Sequence, residues 1–212
     1  MLTITLSKSL INNYIYSQKI IVINIRRYTI QTVGCMADEK KNRLAVFDFD
    51  GTLFFNDAAL IKTGIRVTGK LMTREQIRGL PEDVKSVIYN AAAHYIDEYV
   101  PNPILIGRLG ARRTEGYRIV ILTARQKSSE ADTLELLRRE DIPYDEIRCD
   151  QALAKIPDEE FKLGEIKSMI QGYAEVEIYE DKADNISYLM DNLGTNGFSY
   201  YLVTNGGAML KV

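Results

Sequence analysis

The fold class of this chain is decided by the stretch LAVFDFDGTLF, residues 44–54. Its first four residues are apolar, which is typical of a strand buried inside a parallel sheet. Two acids one residue apart, Asp48 and Asp50, follow at once, and Gly51 then lets the backbone leave the strand. Burying a carboxylate is costly unless a metal ion or hydrogen-bond donors compensate it. The stretch therefore predicts a site for a hard cation and phosphate at a strand end, and its apolar neighbours argue against a solvated surface turn.

Composition limits the function classes that need to be considered. The 212 residues are 46% hydrophobic and 26% charged, which predicts a globular core with room for a small insertion. A formal net charge of −2 gives no general attraction to nucleic acid or acidic membranes, and no apolar run reaches the length of a membrane span. Cys35 and Cys149 form no metal or disulfide pattern, so we expect a cytoplasmic protein. Its oligomeric state stays open.

Residues 1–35 differ in composition from the rest of the chain, because they carry four basic residues and no acid. One interpretation is a targeting segment, since transit peptides are basic and poor in acids. Residues 20–25, however, resemble a strand more than an amphipathic helix. A further possibility, which we favour, is a mis-assigned start, with the native protein beginning at Met36. The status of this extension stays open.

From residue 43 onward, predicted strands and helices alternate, which indicates an α/β fold with a Rossmann-like, mostly parallel sheet and helices on both faces. The predicted strands cover residues 44–48, 117–122, 176–179 and 200–203, with a short one near Ile147. The predicted helices cover residues 81–99, 104–114, 129–140, 163–170 and 185–192. We expect residues 40–55 and 116–212 to form the core domain and residues 56–115 to form a small helical cap inserted into it.

Polar residues follow three of the predicted strands. Asp48 and Asp50 end the first, Thr123 ends the second, and Glu180 with Asp181 ends the strand at 176–179. The carboxyl ends of parallel strands meet at one edge of a sheet, where ligands bind in such folds. We therefore expect these side chains at one site.

These motifs resemble those of the haloacid dehalogenase-like (HAD) hydrolases. Asp48-Phe49-Asp50-Gly51-Thr52-Leu53 matches the first family motif, and Ile121-Leu122-Thr123-Ala124-Arg125 matches the second. Lys162 fits the third motif by spacing, and Glu180-Asp181 fits the acidic fourth. The resemblance covers about residues 43–204. It implies a Rossmann-like fold and, for most members, Mg²⁺-dependent phosphatase activity.

The resemblance also implies a role for each matching residue. Asp48 would attack phosphorus and form an aspartyl-phosphate, which divides one hard step into two easier ones. Asp50 would protonate the leaving group and then accept a proton from water. Mg²⁺ would lie among the Asp48 carboxylate, the Asp50 backbone carbonyl and Asp181. The phosphate would be held by Thr123, Ala124 and Lys162.

Several assignments keep an alternative. Lys155 or Lys167 could bind phosphate in place of Lys162. Asn185 stands where the family often has an acid, which puts the outer part of the metal site in doubt. Three further residues are secondary candidates for the site: Glu180, Asp184 and Arg125.

The substrate depends on the cap, where Lys62, Arg66, Lys70 and Arg74 are candidate contacts. A small cap excludes water and favours a small phosphorylated metabolite. The alternative is a nucleic-acid end 3′-phosphatase resembling the phosphatase half of polynucleotide kinase-phosphatases. In that case Arg125 would contact a nucleotide phosphate, and the strand backbone would meet Arg108, Arg112 and Arg113. A non-catalytic HAD-like binding protein is a further alternative, and His94, the single histidine, is expected to be structural.

Overall fold

The computed structural model describes residues 19–24, 29–34, 42–150, 156–204 and 206–212. The chain divides into two compact units, residues 1–40 and 41–212. In the first unit, β1 (Lys19–Asn24) pairs antiparallel with β2 (Thr29–Gly34), which confirms the strand character predicted around residues 20–25. Cys35 and Met36 lie outside the described residues, so the interpretations of residues 1–35 stay predictions.

The second unit is built on a six-stranded sheet. Its order is β10-β9-β8-β3-β6-β7, in which β10 is antiparallel to β9 and the other pairs are parallel. The strands of this unit are β3 (Arg43–Phe47), β4 (Phe54–Phe55), β5 (Val100–Pro101), β6 (Arg118–Gln126), β7 (Glu146–Asp150), β8 (Glu175–Glu180), β9 (Phe198–Val203) and β10 (Met209–Lys211). The predicted α/β, mostly parallel sheet is confirmed.

The second unit also contains helices on both faces of this sheet. They are α1 (Asp57–Thr68), α2 (Arg74–Arg78), α3 (Glu82–Ala92), α4 (Pro103–Thr114), α5 (Glu130–Arg139), α6 (Asp158–Met169) and α7 (Ala183–Leu193). Within the part of the chain that the structure describes, no helix is long and apolar enough to cross a bilayer.

Three predicted elements have different bounds in the structure. The helix predicted over residues 81–99 ends at Ala92, and a short 3-10 turn, Ile96–Glu98, follows it. The strand predicted to stop at Thr123 continues to Gln126 through an irregularity in its pairing with β7. The helix predicted from residue 163 begins at Asp158, where three acids after Pro157 suit the positive end of the helix dipole.

Strand β3 lies in the middle of the sheet because both of its faces are apolar. Successive side chains of a strand point to opposite faces. Accordingly Ala45 and Phe47 belong to one buried cluster, together with α4 and the helices after β4, whereas Leu44 and Val46 belong to a second cluster with α6 and α7. This double burial carries Asp48 and Asp50 to the carboxyl edge of the sheet.

The segment between β4 and β5 forms the helical insertion. These two short strands pair with each other, and Asn102 closes the segment by donating from its side chain to the backbone oxygen of Thr52 at 2.9 Å. Helix α4 follows this closure and packs on the sheet through Leu105 and Leu109. The contacts of α4 are thus those of a core helix, although its residues lie within the predicted cap. The division at residues 56 and 115 remains a prediction.

Candidate active site

The residues at the carboxyl edge of the sheet are brought together by strand register. Phe47 on β3 pairs with Ile121 on β6 and with Tyr179 on β8. The residues that follow these positions therefore lie at a common edge, which places Asp48 beside Glu180 and close to Thr123. The expected convergence of the strand ends is present in the structure.

Asp48 is buried; its carboxylate accepts two hydrogen bonds, and its backbone amide makes a third. The ammonium of Lys162 donates to Asp48 Oδ1 at 2.7 Å, the hydroxyl of Thr52 donates to Oδ2 at 3.1 Å, and the Asp48 amide donates to the backbone oxygen of Tyr179. Burial and then the neighbouring charge of Glu180 raise the pKa of Asp48 to about 7, while Lys162 acts in the opposite direction. The carboxylates of Glu180 and Asp181 lie beside that of Asp48, and this concentration of negative charge favours binding of a cation.

Three carboxylates form a cluster that could hold a metal ion. One oxygen each from Asp48, Glu180 and Asp181 lies within 4.8 Å of the others. Asp181 Oδ1 is buried and accepts no hydrogen bond from the described residues, so it is an orphaned hard ligand atom. Burial, and then the charge of Asp48, raise the pKa of Asp181, which a divalent cation would reverse. Oxygen donors of this kind suit Mg²⁺, and the residues present therefore fit the ion that the motifs imply.

The side chain of Asp50 is engaged by a different cation. Arg125 makes a bidentate contact with it, Nε to Oδ2 at 2.7 Å and Nη2 to Oδ1 at 2.9 Å, and the Asn56 amide donates to Oδ1 at 2.9 Å. Burial alone would raise the pKa of Asp50, but the charge and hydrogen bonds of Arg125 lower it overall. The guanidinium itself is buried between the rings of Phe49 and Tyr99, 4.4 and 4.7 Å from their centroids. Arg125 was a secondary candidate in the sequence, and nothing in the motif spacing indicated this pairing.

Gly51 follows the acids in a conformation that other residues resist. Its φ is +87°, and a Cβ built on it would lie 2.4 Å from Asp181 Oδ2 and 2.7 Å from Arg74 Nη2. Both the backbone and the space therefore require glycine here. The absence of a side chain here lets the loop after β3 lie close to Asp181, the acid that follows β8.

The residues predicted to bind phosphate differ in their burial and in their contacts. Thr123 is buried, and its hydroxyl accepts the backbone N–H of Arg125 at 3.3 Å, while Ala124 is half-buried beside the second apolar cluster. Lys162 is buried, and its ammonium also contacts Glu180 Oε2 at 2.5 Å. Lys167 is exposed on the same helix, and Lys155 lies outside the described residues. Of the two lysines that can be compared, Lys162 is the one at the site.

The acidic end of β8 is completed by α7. Asn185, which stands where the family often has an acid, is buried and donates to Glu180 Oε1 at 3.2 Å. Asp184 is exposed at the start of the helix, so the structure does not bring it to the carboxylate cluster. The side-chain amide of Asn185 thus donates a hydrogen bond to Glu180, whereas an acid at this position would add negative charge to the cluster.

The helical insertion between β4 and β5, the predicted cap, contributes two arginines to the site, of which the sequence indicated one. Arg74 and Arg78 each donate through Nη2 to Asp181 Oδ2, at 3.3 and 2.9 Å. Arg74 was a candidate contact, whereas Arg78 was missed, although its spacing of four residues from Arg74 places both on one side of a helix. The remaining cap candidates lie elsewhere: Lys62, Arg66 and Lys70 are exposed.

The arginines proposed for a nucleic-acid backbone are paired with acids of the core. Arg112 contacts the buried Glu177 at 2.6 and 2.7 Å, and Arg113 contacts Asp145 at 3.2 Å. Arg108 donates to the hydroxyl of Tyr179 at 2.9 Å. These side chains hold α4 against the sheet.

Comparisons with known proteins give likeness of structure but not of sequence. No family model matches the chain, and neither does any curated protein sequence. Among solved structures, a putative haloacid dehalogenase-like hydrolase from Bacteroides fragilis superposes with a TM-score of 0.57 at 19% identity, over 78% of this chain and 89% of that chain. A predicted phosphoglycolate phosphatase from Haemophilus somnus 129pt gives a TM-score of 0.52 at 14% identity, over 76% and 85% of the two chains.

A third likeness is to a chain of the Pnkp1/Rnl/Hen1 RNA repair complex, with a TM-score of 0.56 at 17% identity, over 85% of this chain and 51% of that chain. This protein spans about half the length of the RNA-repair chains that it matches. At such identities the likeness shows the fold alone. The chain has the fold of the HAD-like hydrolases, as its motifs predicted.

Proposed function

We propose that this chain is a Mg²⁺-dependent phosphomonoester hydrolase that acts on a small phosphorylated metabolite through an aspartyl-phosphate. One observation carries the proposal: the buried Asp48 carboxylate lies within a cluster with Glu180 and Asp181 and is held by Lys162. Lys162 and the two cap arginines contact these carboxylates, yet Asp181 Oδ1 is buried and accepts no hydrogen bond from the described residues, so a ligand atom for a metal ion is left over. The HAD-like fold of the chain supports the same reaction class.

Asp48 is the proposed nucleophile. One of its oxygens forms a bond to phosphorus while the bond from phosphorus to the leaving oxygen breaks, and water later releases phosphate from the carboxylate. Lys162 holds Asp48 Oδ1 at 2.7 Å, which orients the carboxylate and places a positive charge beside the phosphoryl oxygens. The hydroxyl of Thr123 on β6 supplies a further donor at the same edge.

Asp50 is the proposed acid and base. In its pair with Arg125 the carboxylate is ionised, which is the form that accepts a proton from the attacking water. To protonate the leaving oxygen first, Asp50 has to exchange its contact with Arg125 for one with the substrate. Arg125 therefore orients Asp50 and limits when it carries a proton.

Mg²⁺ would be held by Asp48, Asp181 and the backbone carbonyl of Asp50, with Glu180 alongside. When bound, the ion neutralises charge on the phosphoryl oxygens and orients the phosphate. The cytoplasm remains the proposed location of the protein, and its oligomeric state stays open.

A second candidate is a nucleic-acid end 3′-phosphatase, favoured by the likeness to the RNA repair complex. The bidentate pair of Arg112 with the buried Glu177 weighs against this function, because it holds a charge that would otherwise meet a nucleic-acid backbone. A metabolite substrate is the better supported of the two.

The test is release of inorganic phosphate by the full chain from a panel of phosphomonoesters, with Mg²⁺ and with a chelator. The panel contains sugar phosphates, phosphoglycolate, nucleoside monophosphates and a 3′-phosphorylated oligonucleotide. We expect turnover that is abolished by the chelator and reduced at least roughly 10³-fold by Asp48→Asn. Asp191→Asn, an exposed acid on α7, is the matched control and retains wild-type activity.

Four outcomes would contradict parts of the proposal. Activity that survives Asp48→Asn overturns the nucleophile, and activity that survives the chelator overturns the requirement for metal. Turnover of the oligonucleotide alone favours the end-repair function. A folded protein without turnover on any of these substrates favours the binding protein that the sequence analysis left open.

A further inference from the structure

Two arginines of the cap lie one helical turn apart and point to the same atom of the core. Residues four apart lie on one side of a helix, and α2 is short but well defined, because Thr73 and Gln76 form a reciprocal capping box at its start. The Nη2 atoms of Arg74 and Arg78 lie 3.3 and 2.9 Å from Asp181 Oδ2. The cap thus places two positive charges on one carboxylate oxygen.

Arg74 has a hydrogen-bond donor that the described residues leave unused. Its side chain is only 6% exposed, and besides Asp181 it contacts Asp57 Oδ1 at 3.4 Å. Its Nε atom is buried and has no partner within the described part of the chain. A buried donor without an acceptor is costly, and in native proteins such groups commonly indicate a missing ligand or water. Arg78, whose side chain is 38% exposed, lies on the solvent side of the same contact.

The two core cations at the site contact Asp48, Asp50 and Glu180, and neither contacts Asp181. Lys162 contacts Asp48 and Glu180, and Arg125 makes a bidentate pair with Asp50. The two cap arginines instead share Asp181, which is also a member of the proposed metal cluster. Their forked guanidinium groups match the oxygens of carboxylates and phosphates. Arg74 and Arg78 are therefore cap cations that lie directly beside the proposed metal cluster, where they could also contact an oxyanion of the substrate.

The direction of the proposed reaction indicates which part of the substrate this anion belongs to. In phosphoryl transfer the attacking and leaving oxygens are roughly in line with phosphorus. With Asp48 attacking from the sheet, the leaving group points away from the sheet edge, toward the cap. The transferred phosphate is thus held by core residues, and the leaving group lies on the side of α2.

We propose that Arg74 and Arg78 bind an oxyanion on the leaving group, so that the preferred substrate is a phosphomonoester with a second anionic group, either a carboxylate or another phosphate. This inference rests on the proposed phosphatase function. It makes Arg74 and Arg78 determinants of specificity, with Asp181 occupying their donors in the free protein.

The experiment measures kcat/KM for two matched pairs of substrates with the full chain and Mg²⁺. One pair is phosphoglycolate and 2-hydroxyethyl phosphate, which differ in a carboxylate. The other is fructose 1,6-bisphosphate and fructose 6-phosphate, which differ in a second phosphate. Wild-type protein is expected to prefer one anion-bearing member over its partner by about tenfold or more, and the pair that shows the preference identifies the anion.

Arg78→Gln is the main variant because its side chain is partly exposed, so the protein is expected to fold; Arg74→Gln is the second. Each is expected to lower kcat/KM for the preferred substrate about 10- to 100-fold, and this loss is expected to be at least about tenfold larger than the loss for the partner that lacks the second anion. Arg138→Gln, an exposed arginine on α5, is the matched control and changes neither value.

Equal losses on both members of a pair, or wild-type protein without a preference, would overturn this inference while leaving the phosphatase function standing. If wild-type protein hydrolyses neither these four substrates nor any substrate of the wider panel, the phosphatase function is overturned, and this inference with it.

Discussion

Replacement of Lys162 by methionine tests the electrostatic reasoning about the site most directly. The ammonium lies 2.7 Å from Asp48 Oδ1 and 2.5 Å from Glu180 Oε2, and none of the three side chains is more than 7% exposed. Methionine is of similar length and apolar, so it fills much of the same space without a charge. The variant leaves two buried carboxylates side by side with no cation between them.

The size of the effect follows from that burial. Removing one partner of a buried ion pair costs about 3–5 kcal/mol of unfolding free energy, because the remaining charge stays desolvated. For a domain of this size, each kcal/mol lowers Tm by about 2–4 °C. The expected fall in Tm is therefore roughly 6–20 °C. Screening by water is a minor correction here, since all three groups are buried.

The assay is urea denaturation of wild type and Lys162→Met in buffer with a chelator, so that no divalent ion compensates the carboxylates. Lys167→Met, an exposed lysine on the same helix, is the control and changes the free energy of unfolding by less than about 0.5 kcal/mol. Adding Glu180→Gln to Lys162→Met is expected to recover part of the loss, because one of the two unpaired charges is then removed. A loss below about 1 kcal/mol for Lys162→Met, similar to that of the control, would refute the reasoning.

Four further predictions concern other parts of the chain. Gly51→Ala is expected to lower the free energy of unfolding by about 2 kcal/mol, measured by urea denaturation, because φ is +87° and the new Cβ would contact Asp181; an unchanged midpoint would contradict this. Arg112→Leu leaves Glu177 buried without its bidentate partner and is expected to cost about 3–5 kcal/mol in the same assay, whereas Arg112→Leu with Glu177→Leu should recover most of it. His94→Ala removes a pair that is about half exposed, so a change below about 1 kcal/mol with full phosphatase activity is expected; a large loss of kcat would overturn its structural role. Mg²⁺ at about 100 times its Kd is expected to raise the Tm of wild type by about 5 °C or more, and Asp181→Asn to abolish the shift; an equal shift in both proteins would remove Asp181 from the metal site.

The strand, its acids and the convergence of three motifs could be predicted because each rests on local chemistry. An apolar run followed by Asp48 and Asp50 can be buried only at the end of a strand, and parallel strands place their carboxyl ends at one edge. The same rule placed Thr123 and Glu180 beside them. The starts and ends of elements were less predictable: the 3-10 turn after Ala92 and the short strand β10 leave little periodicity in the sequence.

The contacts between distant side chains could not be predicted, because they depend on how the cap and the helices pack. Nothing local distinguishes Arg74 and Arg78, which reach Asp181, from Lys62 and Lys70, which are exposed. The pairing of Arg125 with Asp50 joins residues 75 positions apart.

The sequence by itself thus determined the fold class and which acids lie at the sheet edge, because an apolar run that ends in acids is a local pattern and parallel strands bring their carboxyl ends to one edge. The tertiary structure decided which cations meet which carboxylates. Coulomb energies depend on distance and burial, and both are set by the packing of elements that lie far apart in the chain.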